Sequence, residues 1–460
     1  MSKYSAEELA AWSRGRWLEE APSSLSGVSK DSRDIADGDL YIALRGERLD
    51  GHQFCQQALE AGAAGCLVDE RFVGEGPAGP YLVVDDTTAA LSRLAAGYRE
   101  TWTGPVVGVT GSCGKTTVKE WTAAVLSVRG RVGKTLGNYN NEIGVPVSML
   151  TASRKQMAGV FEVGMNHPGE LDPLCGLLRP DIGIVTSVGA GHLGNFESVD
   201  EIAVEKSAMY RALDPSGLAI AHRDNRYLGI LQEAVRCELM TVGIGGEGDL
   251  VAQRFDGAEV EVFERRTGES AVLPLPQPGE HSVVNVLFAA LVGRVFEMEW
   301  DEIASGLDSQ GALSMRWEKA DLKGVTVIND AYNANPESMR ASLKTFAESD
   351  VAGAKWAVLG AMRELGAVSE RAHEELGAWL AQCALDGVLV LGEAASGLAK
   401  GLSGTDMQVH CAEDAHAGAE FLLGELRSGD TVLLKGSRGE RVEEVLSVLS
   451  GRIADTGWRE

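Results

Sequence analysis

The chain has 460 residues, 44% hydrophobic and 24% charged, the proportions of a folded globular protein. That length exceeds one ordinary core and calls for two or three domains. A formal net charge of −25 argues against nucleic-acid binding, which needs a basic face, so any anion must be gripped by local cations, backbone amides and metal ions.

The first block, to about residue 101, opens as a capped helix with Ser5 facing Glu8, not as a signal peptide. Short strands are expected at 39–44 and 64–68, with a helix between them carrying Phe54, Ala58 and Leu59. The second block starts with the run Val106-Val-Gly-Val-Thr-Gly-Ser-Cys-Gly-Lys-Thr-Thr117. An apolar β-branched strand feeds a glycine-rich turn, and Lys-Thr-Thr opens a helix through Val128, the layout of a triphosphate cradle. Backbone N–H groups of Gly111, Ser112, Cys113, Gly114 and Thr117 can converge on phosphate, Lys115 can reach the terminal phosphates, and Thr116 can ligate Mg²⁺. Val109 stands where the common pattern has glycine. Strands at 159–163 and 182–188 and a helix over 199–213 then imply a parallel sheet, while strict alternation at 259–264 reads as an exposed antiparallel strand.

A third block begins near Leu313, with strands at 325–328, 356–359, 388–391 and 431–434 and helices starting near Pro336, Ser369, Asp414 and Glu440. This is a second α/β unit of Rossmann-like type. The most apolar stretch, 283–295, is interrupted by Asn285 and Arg294 and is too short and polar to span a bilayer. Seven cysteines without a C-x-x-C pair fit a reducing cytosol, where they are mostly small core residues, so a cytoplasmic protein is expected. Cys113 lies inside the phosphate loop, so its alkylation is expected to block nucleotide binding.

Several polar residues stand where strands end. Glu162 closes an apolar strand, which suits a Mg²⁺ ligand and a solvated strand end equally. His192 sits in a glycine-rich turn after another strand, and Lys206, read alone, is a solvated helix lysine. Asn138, Asn140 and Asn141 suit either local backbone bonding or neutral recognition of a sugar, amide or acyl group. Asp330-Ala-Tyr332-Asn333-Ala-Asn335 repeats the theme before a helix, and Lys435-Gly-Ser437-Arg438 offers two cations as an anion grip or a solvated turn.

Together these segments resemble the Mur ligase family over nearly the whole chain. The resemblance implies an α/β fold of three domains: a small N-terminal UDP-substrate domain (1–101), a central ATPase domain of phosphate-loop type (102–313) and a C-terminal Rossmann-like domain (314–460). Asp31-Ser32-Arg33 and the segment 38–52, with Arg45, look like the part that holds the UDP-sugar peptide. The loop 110–117 is similar to the family's own variant, which accounts for Val109. The segment with His281 and Asn285 resembles an adenine site, with Arg316 placed for the phosphates and Asp330 for the ribose. In the third block, Tyr332 to Met339, Leu359 to Gly366 and Lys435 to Arg438 are similar to the branch that adds D-alanyl-D-alanine to UDP-N-acetylmuramoyl-tripeptide. That implies dipeptide contacts from Tyr332, Asn335, Lys435, Ser437 and Arg438, and tripeptide contacts from the three asparagines.

By the same resemblance, Lys115, His192 and Lys206 are catalytic. Thr116 and Glu162 would hold one Mg²⁺, while His192 and an N-carbamoylated Lys206 would hold a second. The implied protein is an ATP-dependent peptide ligase working as a monomer in cytoplasmic cell-wall precursor synthesis. Ala208, Asn329 and Ala361 depart from the family pattern, where acidic residues are common. The rival expectations are a sibling ligase for another amino acid or for folate polyglutamate and, from another class, an ATPase switch.

Overall fold

The computed structural model describes residues 3–46, 48–73, 78–392 and 395–456; Glu47 of the first-domain motif lies outside them. The first sheet holds β1 (Arg16–Leu18), β2 (Gly27–Ser29), β3 (Asp39–Ile42), β4 (Gly65–Asp69) and β5 (Tyr81–Val84) in the order β1-β5-β4-β3-β2. Only β1 runs antiparallel. Ser5 and Glu8 form the expected capping box on the helix Ala6–Ser13. The helix Thr87–Arg99, capped by Asp86, buries Leu91, Leu94 and Tyr98 on one face, the spacing of an amphipathic helix.

The second sheet has nine strands: β6 (Val106–Thr110), β7 (Val132–Lys134), β8 (Ala158–Glu162), β9 (Ile182–Val185), β10 (Leu218–His222), β11 (Glu238–Ile244), β12 (Leu250–Phe255), β13 (Glu259–Glu264) and β14 (Glu269–Pro274). Their order is β14-β13-β12-β11-β10-β9-β6-β8-β7, with β13 and β14 antiparallel. All five residues of β6 are buried, as an unbroken apolar run in a covered parallel strand should be. The alternating strand β13 is not wholly exposed: it lies between β12 and β14, and Val260 and Val262 face the core. The helix expected over 199–213 breaks at Ser207, whose hydroxyl donates back to Ala203 O at 2.8 Å.

The third sheet holds β15 (Glu318–Leu322), β16 (Val325–Asn329), β17 (Lys355–Leu359), β18 (Gly387–Leu391), β19 (Gln408–Ala412) and β20 (Thr431–Lys435). Its order is β15-β16-β20-β17-β18-β19: the last strand inserts between the first two parallel ones. The sequence signal covered the four buried strands and missed β15 and β19, edge strands whose residues are all partly or fully exposed. Asn335 caps the helix Pro336–Glu348, and Asp414 caps Ala415–Glu425. The last helix begins at Glu444, because 438–440 forms a separate tight turn. Among the described residues no helix is long and apolar enough to cross a membrane. All seven cysteines are free, but only Cys55, Cys66 and Cys175 are fully buried, fewer than expected of core residues.

Candidate functional site

Parallel pairing brings the ends of β6, β8, β9 and β10 to one edge, and the loop after β6 turns there into the helix Lys115–Ser127. Gly111 (φ +151°) lies so close to the segment after β9 that an added Cβ would stand 2.0 Å from Thr186 Oγ1. Gly114 (φ +83°) occupies the left-handed region at the helix start, with Asn285 directly above it. Ser187 straps the loop in place: its carbonyl accepts from Ser112 N–H at 2.9 Å and its hydroxyl from Cys113 N–H at 2.8 Å. Lys115 Nζ donates to Gly111 O at 2.8 Å, folded back over the turn. The helix N-terminus is left as the anion cradle, whereas the Ser112 and Cys113 amides, expected to converge on phosphate, are committed to Ser187.

Glu162, at the end of β8, is 1% exposed and both its oxygens are engaged. Thr116 Oγ1 donates to one at 2.8 Å and Asn140 Nδ2 to the other at 2.7 Å. Arg316, from the third domain, donates to the same Thr116 hydroxyl at 2.9 Å and lies 4.1 Å over the Tyr332 ring. Hydroxyl and carboxylate oxygens side by side are hard donors that fit Mg²⁺. Among the described residues no group of three or more His, Cys, Asp or Glu side chains could hold a metal alone. A cation at Glu162 would therefore draw its other ligands from phosphate and water.

Lys206 is not a solvated helix lysine. It is 2% exposed and makes no hydrogen bond or ion pair among the described residues. Burial, followed by the positive charge of Lys115, drives its pKa well below the usual lysine range. Carbamate formation requires a lysine that gives up its proton readily, and burial moves Lys206 in that direction. His192 adopts a left-handed conformation (φ 65°) in the turn after β9.

One cavity of about 450 Å³ joins the second and third domains. Second-domain residues on its wall include Ser112 to Thr117, Asn140, Asn141, Glu162 and His192. His281 and Asn285 also line it; His281 Nδ1 is buried without a partner, and burial lowers its pKa, so a neutral ring faces the cavity. The third domain contributes Arg316, Asp330, Tyr332, Asn335 and Lys435. Lys435 Nζ pairs with Asp330 Oδ2 at 2.6 Å, so these two form one unit and not separate grips. Asn335 packs its amide 3.2 Å from Cys113 Sγ across the domain boundary.

Other expected residues lie off this wall. Ser32 donates to Gln57, Arg33 pairs with its neighbour Asp31, and Arg45 is held by Asp50 and Asp69, all in the first domain. Asn138 sits against the Tyr332 hydroxyl. Ser437 braces its own domain, its amide donating to Ala361 O at 3.1 Å, while Arg438 pairs with Glu443 at 2.7 Å. Of the departures, Ala208 and Ala361 are buried, and Asn329 Oδ1 accepts from Ala331 N–H at 3.2 Å. Sequence reasoning passed over His222, which ends β10 on the cavity wall, and Glu337, whose Oε1 accepts from Ala190 N–H at 2.9 Å. Both occupy positions the strand-end and helix-start rule would have flagged.

Fold and site together define an α/β enzyme built around a phosphate loop and closed by a third domain. The chain belongs to the Mur ligase family: it matches the Mur ligase family catalytic domain over 24–99, the middle domain over 109–293 and the glutamate ligase domain over 315–438. It is 35% identical to UDP-N-acetylmuramoyl-tripeptide–D-alanyl-D-alanine ligase of Bacillus subtilis, covering 92% of this chain and 93% of that protein. A crystal structure of MurF from Acinetobacter baumannii superposes with a TM-score of 0.87 at 29% identity, covering 97% of this chain and 99% of that one. MurF ligase from Thermotoga maritima in complex with ADP gives 0.80 at 28% identity, over 93% and 98%.

Proposed function

We propose that this chain is an ATP-dependent ligase that joins D-alanyl-D-alanine to UDP-N-acetylmuramoyl-tripeptide in cytoplasmic cell-wall precursor synthesis. The observation that carries the reading is the single cavity in which the phosphate loop and Glu162 face third-domain Arg316, Tyr332 and Lys435. A switch ATPase has no use for a second, side-chain-rich wall opposite its phosphates.

A peptide carboxylate is a poor electrophile. Its oxygen attacks the γ-phosphorus of ATP, the bond to the β-phosphate oxygen breaks, and ADP leaves an acyl phosphate. In this reading Lys115 and Arg316 offset the charge that shifts during transfer, Lys115 swinging off Gly111 O to do so. The dipeptide amine then attacks the acyl carbon, the tetrahedral adduct expels phosphate, and the nitrogen loses a proton. The third domain, packed onto the second, keeps water from the acyl phosphate. Thr116 and Glu162 would hold one Mg²⁺, and His192 with carbamoylated Lys206 a second; bound there, the ions would neutralise phosphate charge. In this reading the first domain takes the UDP end, through Ser32, Arg33 and Arg45, and Asn138, Asn140 and Asn141 face the tripeptide.

The test is phosphate release from ATP measured with the UDP-tripeptide and a panel of acceptor amines. Release that needs both the tripeptide and D-alanyl-D-alanine is expected; release without an acceptor would favour the switch, and a different preferred acceptor a sibling ligase. Lys206→Ala should be nearly inactive and partly rescued by short carboxylic acids. Full activity of that variant would remove the carbamate from the scheme.

A further inference from the structure

The loop after β17, residues 359–366, carries a motif that the binding and transfer steps leave without a task. Its backbone is braced from within the third domain. Met362 N–H donates to His373 Nε2 at 2.8 Å, and His373 Nδ1 sits 2.7 Å from Ser369 O, which fixes that ring as neutral with its proton on Nδ1. Arg363 N–H donates to Ser437 Oγ at 2.9 Å. At the tip, Glu364 (φ 67°) and Gly366 (φ 59°) both adopt left-handed conformations. An L-residue such as Glu364 keeps that conformation only where its surroundings impose it.

Part of that surrounding lies across the domain boundary. Gly194 N–H donates to Glu364 O at 2.7 Å. The two glycines cross so closely that a Cβ on Gly194 would stand 2.8 Å from Gly366 N, and one on Gly366 2.7 Å from Gly194 Cα. This crossing delivers Glu364 Oε2 to 2.6 Å from His192 Nδ1. The contact lacks hydrogen-bond alignment, and the Glu364 side chain is 50% exposed, so it adds little to stability. What a carboxylate at one ring nitrogen does control is which nitrogen carries the proton and which way the ring faces.

We propose that Glu364 is a positioning residue for ligation: the docked third domain holds its carboxylate against His192 Nδ1 and leaves Nε2 as the free face of the ring. The role rests on the ligase reading of the cavity. It gives the 359–366 loop a task, because the loop then reports third-domain docking to a second-domain side chain.

The test compares wild type, Glu364→Gln, Glu364→Gly, His192→Ala and the double variant Glu364→Gln/His192→Ala. Glu364→Gly keeps the left-handed turn without strain and removes only the carboxylate, so it separates side chain from backbone. In both Glu364 variants kcat is expected to fall about 10–100-fold, with KM for ATP within about twofold of wild type. The imidazole ¹⁵N resonances of His192, assigned by their loss in His192→Ala, should leave the Nδ1-protonated pattern in the complex with ATP analogue and UDP-tripeptide. The double variant should be no slower than His192→Ala alone. Wild-type kcat in both Glu364 variants, unchanged His192 resonances, or multiplying losses in the double variant would each overturn the role. A wild-type protein that releases no phosphate with D-alanyl-D-alanine would sink the ligase reading instead, and the His192 resonances would still decide the role of Glu364.

Discussion

The junction between the first and second domains and the boundary between the second and third are built from opposite materials. At the first, one apolar cluster runs unbroken through both domains, taking in Leu9, Leu94 and Tyr98 on one side and Val147, Phe161 and Leu174 on the other. Tyr4 meets Tyr98 edge-on at 5.1 Å on the first-domain side and Trp102 stacks on Phe161 at 5.4 Å on the second, while Arg154 lies 5.4 Å over the Tyr98 ring across the junction. Tyr98 donates its hydroxyl to Ala152 O at 2.7 Å, so even the polar tip is satisfied across the junction. At the second boundary, Ala190 is the one second-domain side chain among the described residues packed against a third-domain core. The rest is polar: Arg316 on Thr116, Glu337 on Ala190, Glu364 on His192 and Lys344 on Glu280. Buried apolar area stabilises at about 25 cal/mol per Å², so a shared cluster of large side chains outweighs a few contacts worth about 0–1 kcal/mol per exposed ion pair and about 0.5–1.5 kcal/mol per exchanged hydrogen bond. The expectation is that the first two domains behave as one stable body and that the more weakly held third domain leaves and returns with substrate.

The sharpest way to break that comparison is Tyr98→Ala. Removing a fully buried aromatic should cost about 3–5 kcal/mol in denaturant unfolding. The first two domains should still unfold in a single transition. A first domain that melts separately and early would show that the shared cluster does not couple them.

Glu337→Ala probes the other side. It removes one bond to Ala190 N–H at an exposed position, so unfolding free energy should change by less than about 0.5 kcal/mol. Ligation, which needs both walls of the cavity aligned, should slow by about tenfold with ATP binding unchanged. A stability loss comparable to that of Tyr98→Ala would mean the boundary is not a soft one.

How much of this was legible in the chain depends on range. The phosphate loop and the buried strands could be read because each is a contiguous run whose pattern reports its own burial, whereas Glu162 could be placed at a strand end but its burial there could not be read. Lys206 could not: its helix reads as ordinary, and only the tertiary fold removes its solvent. Arg45 illustrates the converse. Its charge and motif point to an anion, yet Asp50 and Asp69 hold the guanidinium in this structure. The contact of Glu364 with His192 joins segments from two domains and depends on a close passage of two glycines, which no local periodicity encodes. Edge strands β15 and β19 were lost for a plainer reason, since their exposed residues carry little of the apolar signal.

The smallest effect separates the third domain from the rest by pH. His373 is 1% exposed by area and burial lowers its pKa, while its Nε2 accepts the Met362 N–H that braces the 359–366 loop. The folded pKa lies below the unfolded value of about 6.5, so between the two the unfolded chain binds more protons and stability falls as pH drops. Above about pH 6.5 both states are neutral at this residue and it contributes no pH dependence. Calorimetry should therefore show the third domain's transition falling between pH 7 and pH 5, read relative to that of the first two domains because His222 and His281, whose pKa values burial also lowers, make the second domain acid-sensitive as well. His373→Gln, which cannot take up the proton, should reduce that relative shift. If it leaves the shift unchanged, the acid sensitivity belongs to another group, and the brace on the Glu364 loop does not depend on a neutral ring.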